Sequence, residues 1–103
     1  MQGIIDISKI VGKVQIGGQT HEVCAEADAT FNRAMHELSV KLHSYLHSEE
    51  QTHVGETISA SWLPESTTVT EHADAEEASA IAKDVFASWC RKVQAAIPGS
   101  SQA

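Results

Sequence analysis

Two long segments of the chain carry apolar residues at helical spacing, and this pattern constrains the fold more than any other feature. In one of these segments, residues 75–96, an apolar stripe predicts an amphipathic helix. Asp74 is a typical N-cap, and Glu77 completes a capping box three residues later. Pro98 and Gly99 predict the helix end. The stripe consists of Ala78, Ile81, Ala82, Val85, Phe86, Trp89, Val93, Ala96 and Ile97.

The other segment, residues 25–48, is interpreted in the same way. Its apolar residues also recur at spacings close to 3.6, which predicts a second amphipathic helix. Glu26 and Asp28 lie near its start, where the helix dipole favours negative charge. The apolar positions are Ala27, Phe31, Ala34, Met35, Leu38, Leu42, Tyr45 and Leu46.

Strand patterns occur in front of both predicted helices. Gly17 and Gly18 separate two strand-like runs, residues 13–16 and 19–23, which predicts a β-hairpin. Residues 54–62 alternate between apolar and small or polar side chains, and the β-branched residues 67–70 predict a return strand. Residues 4–14 fit a strand and a short helix equally well.

These elements predict an α+β fold of order ββαββα, with an antiparallel four-stranded sheet and two helices packed on one face. The length of 103 residues corresponds to one domain. We expect residues 1–97 to form that compact domain and residues 98–103 to form a flexible C-terminal tail.

The charge balance bears on possible partners. The chain has 14 acidic and 7 basic residues, a formal net charge of -7. Nucleic-acid affinity depends largely on Lys and Arg, so no nucleic-acid partner is expected. No apolar run approaches the roughly 18–20 residues that span a bilayer, so no membrane partner is expected either. The first residues resemble no secretion signal, which predicts a cytoplasmic protein with Cys24 and Cys90 reduced. A disulfide between these two cysteines is the alternative.

Histidines provide the candidate metal ligands. His43 and His47 are four residues apart, so in a helix their rings would be neighbours and could hold two corners of a zinc site. Glu50 and His53 follow closely and could supply further ligands. The simpler alternative is a solvated polar surface, since the H-x-x-x-H spacing alone is a weak motif. No resident cofactor is predicted.

No complete catalytic motif is present in the sequence. Cys24 precedes a predicted helix and has His21 nearby, but no residue that would orient this pair can be named. The glycine-rich phosphate-binding patterns and the G-x-S-x-G motif are missing from the sequence. Trp62 and Trp89 are in phase with apolar faces, which indicates core or interface positions. No catalytic residue is therefore predicted.

The leading functional hypothesis is a non-enzymatic protein-interaction or assembly module that forms a homo-oligomer. Strand edges can pair with a second copy, and the candidate edges are the hairpin around Gly17 and Gly18 and the strand at residues 67–70. One alternative is a metal- or pH-responsive binding protein that uses the histidines of residues 25–48. Another is a small dimeric enzyme with its site at the subunit interface.

Overall fold

The computed structural model describes residues 2–48 and 60–98, which form an antiparallel sheet and one helix. The four strands are neighbours in chain order, as in a meander. The helix α1 packs against β1, β2 and β3. The element bounds are β1 (Gln2–Ile16), β2 (Gln19–Asn32), β3 (Glu37–Ser48), β4 (Thr67–His72) and α1 (Ala75–Ala96). The α+β class and the four-stranded antiparallel sheet are confirmed, but the predicted second helix and the ββαββα order are not found in the described chain.

The helix α1 has the predicted bounds and the predicted start. Asp74 is the N-cap in an extended conformation, and its backbone N–H donates to Oε1 of Glu77 at 3.2 Å. Ile97 is the C-cap, directly before Pro98. The apolar stripe faces the sheet, and its most buried residues are Ala78, Ala82, Phe86, Trp89 and Val93.

The prediction of a helix over residues 25–48 is wrong, because this segment forms most of β2 and all of β3. A spacing of four residues, as in Ala27 and Phe31, fits one face of a strand as well as one turn of a helix. Burial at a spacing of two residues distinguishes the strands from a helix, since Ala25 and Ala29 on either side of Ala27 are also buried, as is Val40 in β3. The side chains that point toward α1 are odd-numbered in β2 and even-numbered in β3, so the two strands together resemble the apolar pattern of one helix.

The turn between β2 and β3 lacks the glycine and proline that usually mark such a turn. The Asn32 side chain accepts a hydrogen bond from the Met35 N–H at 3.2 Å, and the His36 N–H donates to the Arg33 carbonyl at 3.4 Å. His36 has a φ of 50°, in the left-handed region. A side-chain hydrogen bond and a strained histidine therefore close this turn.

The hairpin between β1 and β2 is confirmed. Gly17 and Gly18 have φ values of 58° and 81° and connect the paired residues Ile16 and Gln19. Positive φ at both central residues is the geometry of the type I′ turn, which matches the twist of hairpin strands.

Residues 4–14, which fitted a strand and a helix equally, lie within β1. The register shifts by one residue between Ile10 and Gly12, which makes Val11 the extra residue of a β-bulge. As a result Ile7, Val11 and Val14 all pack against the core, at spacings of four and three that resemble a helix. The bulge accounts for the ambiguity of the sequence pattern.

The predicted strand at residues 67–70 is confirmed as part of β4. The predicted strand at 54–62 lies mostly outside the described residues. Its end is described and is not extended, because the Leu63 N–H donates to the Ala60 carbonyl at 3.1 Å and closes a turn around Trp62.

The core lies between the sheet and α1. The central part of β2 contributes only small side chains, the buried Ala25, Ala27 and Ala29. Larger side chains from β3 and α1 fill the space beside them, including Leu38, Leu42, Leu46, Phe86 and Trp89. Small residues let a helix approach the sheet closely, because packing distance depends on the side chains at the contact.

The indole of Trp89 joins α1 to β3. Its Nε1–H donates to the backbone carbonyl of His43 at 2.9 Å. The pairing of β3 with β4 ends at Leu42 and Thr67, so this hydrogen bond lies one residue beyond the last rung of that pairing. The indole of Trp89 therefore holds the backbone of β3 in place at His43, where β3 is no longer hydrogen-bonded to β4.

We expect Trp89→Phe to lower the free energy of unfolding by about 1–2 kcal/mol more than Trp62→Phe does. The first substitution leaves the part-buried His43 carbonyl without this donor, whereas Trp62 makes no hydrogen bond within the described chain. Urea denaturation of both variants measures the difference. Equal losses would contradict the anchoring role of Trp89.

We expect His36→Gly to be about 1 kcal/mol more stable than His36→Ala, because glycine accepts positive φ without steric cost and alanine does not. Both substitutions remove the 3.3 Å contact between His36 and Asp74, so that loss cancels in the comparison. Thermal unfolding measures the difference. An alanine variant of equal or greater stability would show that the turn is not strained at this residue.

Candidate functional site

The sheet has one face toward α1 and an opposite face, here called the open face. Within residues 2–48 and 60–98, no helix or strand packs on the open face. Alternation along the strands places most of the chemically active side chains of the sheet there. They include Asp6, Glu22, Cys24, Glu26, Asp28, Lys41, His43, Tyr45 and His47.

Three residues on neighbouring strands form the open-face cluster, defined as Glu26, Asp28 and His43. Glu26 and His43 are directly opposite each other on β2 and β3, and Nε2 of His43 lies 3.3 Å from Oε1 of Glu26. Asp28 is the next residue of β2 on the same face. One possible ligand atom from each residue lies within 4.8 Å of the other two, and all three residues are partly buried.

Carboxyl groups are crowded at this cluster. Burial is the main cause that raises the pKa of Glu26, and a hydrogen bond with Asp6 and the charges of Asp6 and Asp28 raise it further. The nearby His43 offsets part of this rise. Ionised Glu26 is therefore held close to other negative charges on the same face of the sheet.

The structure separates the residues of the predicted metal site. His43 and His47 share the open face, but four residues of a β-strand span about 13 Å, so the two imidazoles are not neighbours as they would be in a helix. His47 pairs instead with Glu22, at 3.9 Å between Nδ1 and Oε1. Glu50 and His53 lie outside the described residues, so a metal site of all four residues stays a prediction.

The sequence pattern does not reveal Glu26 and Asp28 as partners of His43, because a helix over residues 25–48 would place both acidic residues near its start. The signal that could have found them is the alternation of Cys24, Glu26 and Asp28 with buried alanines. That alternation becomes visible only when β2 is recognised as a strand.

The cysteines lack the features of activated nucleophiles. Cys24 lies on the open face and His21 on the face toward α1, because their positions in β2 differ by an odd number. Burial raises the pKa of Cys24, the charges of Glu22 and Glu26 raise it further, and a hydrogen bond with Tyr45 lowers it. Burial also raises the pKa of Cys90. Both thiols are free, so the alternative of a bridge between Cys24 and Cys90 is wrong for this structure.

A groove lies between α1 and β4, on the opposite side of the sheet from the open-face cluster. Its volume is about 540 Å³, and Lys92 at its rim has its Nζ 5.7 Å from the ring centroid of Trp89. The apolar part of its lining is formed by Leu42, Val69, Val85 and Trp89. The groove therefore offers an apolar surface directly beside the outermost strand.

We expect Glu26→Gln to gain stability relative to the unsubstituted chain as the pH rises from about 4 to 7. The raised pKa means that ionising Glu26 costs folding free energy. This cost is absent below the ordinary glutamate pKa and complete above the raised one. Urea denaturation across this pH range measures the difference, with the exposed loop substitution Glu65→Gln as the control. If Glu26→Gln instead lost stability relative to the unsubstituted chain as the pH rose to 7, the crowding of carboxyl groups around Glu26 would be contradicted.

Comparisons with known proteins add no relative to this description. No protein-family model, curated protein or solved structure matches the chain. No helix in the described part of the chain has both the length and the apolar character needed to cross a membrane.

Proposed function

We propose that this protein is a non-enzymatic interaction module that self-associates through the outer edge of β4. The observation that carries the proposal is the position of β4 at the end of the sheet. It pairs with β3 on one side, and no described residue pairs with its other side. An unpaired strand edge presents backbone N–H and C=O groups that can hydrogen-bond to a strand of a second copy.

The two edges of the sheet differ in ways that favour β4 over β1. The edge strand β1 contains a β-bulge at Val11, with Lys9 and Lys13 on either side of it. Bulges and lysines are the features by which proteins protect strand edges from pairing. The six residues of β4 contain no lysine and no proline, and their register with β3 is regular. Of the two predicted edges, the hairpin is therefore the weaker candidate.

The sequence of β4 suits pairing with itself around a two-fold axis. Residues that face each other across antiparallel strands lie on the same face of a sheet, so the two-fold axis has to pass midway between a residue and its own copy. With the axis at Val69, this residue meets its own copy, and Thr68 faces Thr70 of the second copy. Cross-strand pairs of β-branched residues and of threonines are favourable, and no like charges stand opposite each other.

The groove beside β4 extends the surface that such pairing would bury. A two-fold axis perpendicular to the sheet keeps both copies of α1 on the same face of one continuous eight-stranded sheet. Each groove would then lie close to the α1 of the second copy. Burial of its apolar lining would add a hydrophobic contribution to the backbone hydrogen bonds.

The chemistry of the chain supports binding rather than catalysis. The two thiols, whose pKa values are raised, are protonated at neutral pH and are poor nucleophiles. His21 and Cys24, the pair considered for catalysis, lie on opposite faces of β2. A module that assembles through a strand edge needs neither group.

We expect the unsubstituted chain to form a dimer at micromolar concentration in sedimentation equilibrium. The double substitution Thr68→Lys with Thr70→Lys places lysine opposite lysine twice at the two-fold axis. We expect it to weaken the dimer at least about tenfold, since like charges directly opposite are destabilising. Circular dichroism checks that the exposed substitutions leave the fold intact.

The matched control is Thr68→Lys with Thr70→Glu, which places opposite charges in the same two positions. We expect this variant to remain a dimer. A monomeric unsubstituted chain would overturn the proposal. So would an equal response of the dimer to both double variants, because the self-pairing of β4 around Val69 distinguishes them.

A further inference from the structure

We infer that Glu26, Asp28 and His43 form a binding site for a divalent transition-metal ion of the zinc class on the open face of the sheet. The inference is independent of self-association, because the cluster lies in the middle of the sheet and on the opposite face from the groove beside β4. Two carboxylates and one imidazole supply three protein ligands, the number that leaves a fourth position of a tetrahedral ion open.

The spacing of the donor atoms suits such an ion. Donors bonded to Zn²⁺ at about 2.0–2.1 Å in tetrahedral geometry lie about 3.3 Å from each other. The distance between Nε2 of His43 and Oε1 of Glu26 is 3.3 Å. The third donor, from Asp28, lies within 4.8 Å of both, a separation that a change in side-chain torsion can close.

The backbone around the cluster is held in place before any ion binds. Glu26 and Asp28 lie on the central strand β2, which pairs on both sides. The backbone carbonyl of His43 accepts the hydrogen bond from Trp89. The imidazole of His43 stacks on the ring of Tyr45, with the ring centroids 6.5 Å apart. Ligands on rigid strands lose little conformational freedom when they bind, which favours affinity.

The charges around the cluster favour a cation with an affinity for nitrogen. Asp6 on β1 is opposite Asp28, so three carboxyl groups occupy adjacent positions, with Lys41 opposite Asp28 on the other side. A bound cation would offset the repulsion among them. The imidazole selects for zinc-like ions, because Ca²⁺ and Mg²⁺ prefer oxygen ligands alone.

The same two strands provide a matched control. Glu22 and His47 form a second directly opposed pair of a glutamate and a histidine on the same face, four residues before Glu26 in β2 and four residues after His43 in β3. Within the described residues this pair has no second carboxylate in a three-residue cluster. If the ion requires Asp28 as a ligand, substitutions in the pair of Glu26 and His43 should weaken metal binding, whereas substitutions in the pair of Glu22 and His47 should not.

The test is calorimetric titration of the chelator-treated full chain with Zn²⁺. We expect one equivalent to bind with micromolar affinity, and His43→Ala and Asp28→Asn each to weaken binding at least about tenfold. The double variant Glu22→Gln with His47→Ala should bind like the unsubstituted chain. Absorption of a Co²⁺-substituted sample should show tetrahedral coordination without a thiolate band, which would separate this site from one at Cys24.

Three results would overturn the inference. One is the absence of micromolar binding to the unsubstituted chain. Another is loss of binding in His47→Ala with His53→Ala while Asp28→Asn still binds, which would place the ion at the histidine set considered from the sequence. The third is a similar small weakening in every histidine variant, which would indicate adventitious binding to exposed imidazoles. Each variant is first checked for its fold by circular dichroism.

Discussion

The structure depends on the strict alternation of side chains along the central strand β2. Ala25, Ala27 and Ala29 are buried under α1, while a cysteine, a glutamate and an aspartate occupy the alternate positions on the open face. Because successive side chains of a strand point to opposite faces, one sequence supplies both a close-packed core and a polar surface. A shift of one residue in the register of β2 would bury Glu26 and Asp28 under the helix, so the register is strongly determined.

This alternation also explains why the two faces of the sheet carry different features in the described part of the chain. The face toward α1 contains the core, the Trp89 anchor and the groove beside β4. The open face contains Glu26, Asp28 and His43, held in fixed register by pairing of β2 with β1 and β3. The proposed self-association at β4 and the proposed ion binding in the middle of the sheet would therefore use different surfaces, so each proposal can fail without the other.

Some parts of this arrangement could be predicted from the sequence and others could not. The helix α1, its Asp74 cap, the Gly17–Gly18 turn and the strand β4 follow from local signals. The β2–β3 hairpin does not, because its apolar spacing fits two periods and its turn is closed by Asn32 without glycine or proline. The candidate site cannot be predicted for the same reason, since Glu26 and His43 are 17 residues apart and meet only across paired strands.

The most direct measurement is the pattern of nuclear Overhauser effects for residues 25–48. The structure predicts contacts between backbone protons of directly opposed residues, such as Ala27 with Leu42 and Glu26 with His43. A helix over the same residues would instead give contacts between residues three and four apart, with no contact between Glu26 and His43. That helical pattern would contradict the open face, the candidate metal site and the account of the fold together.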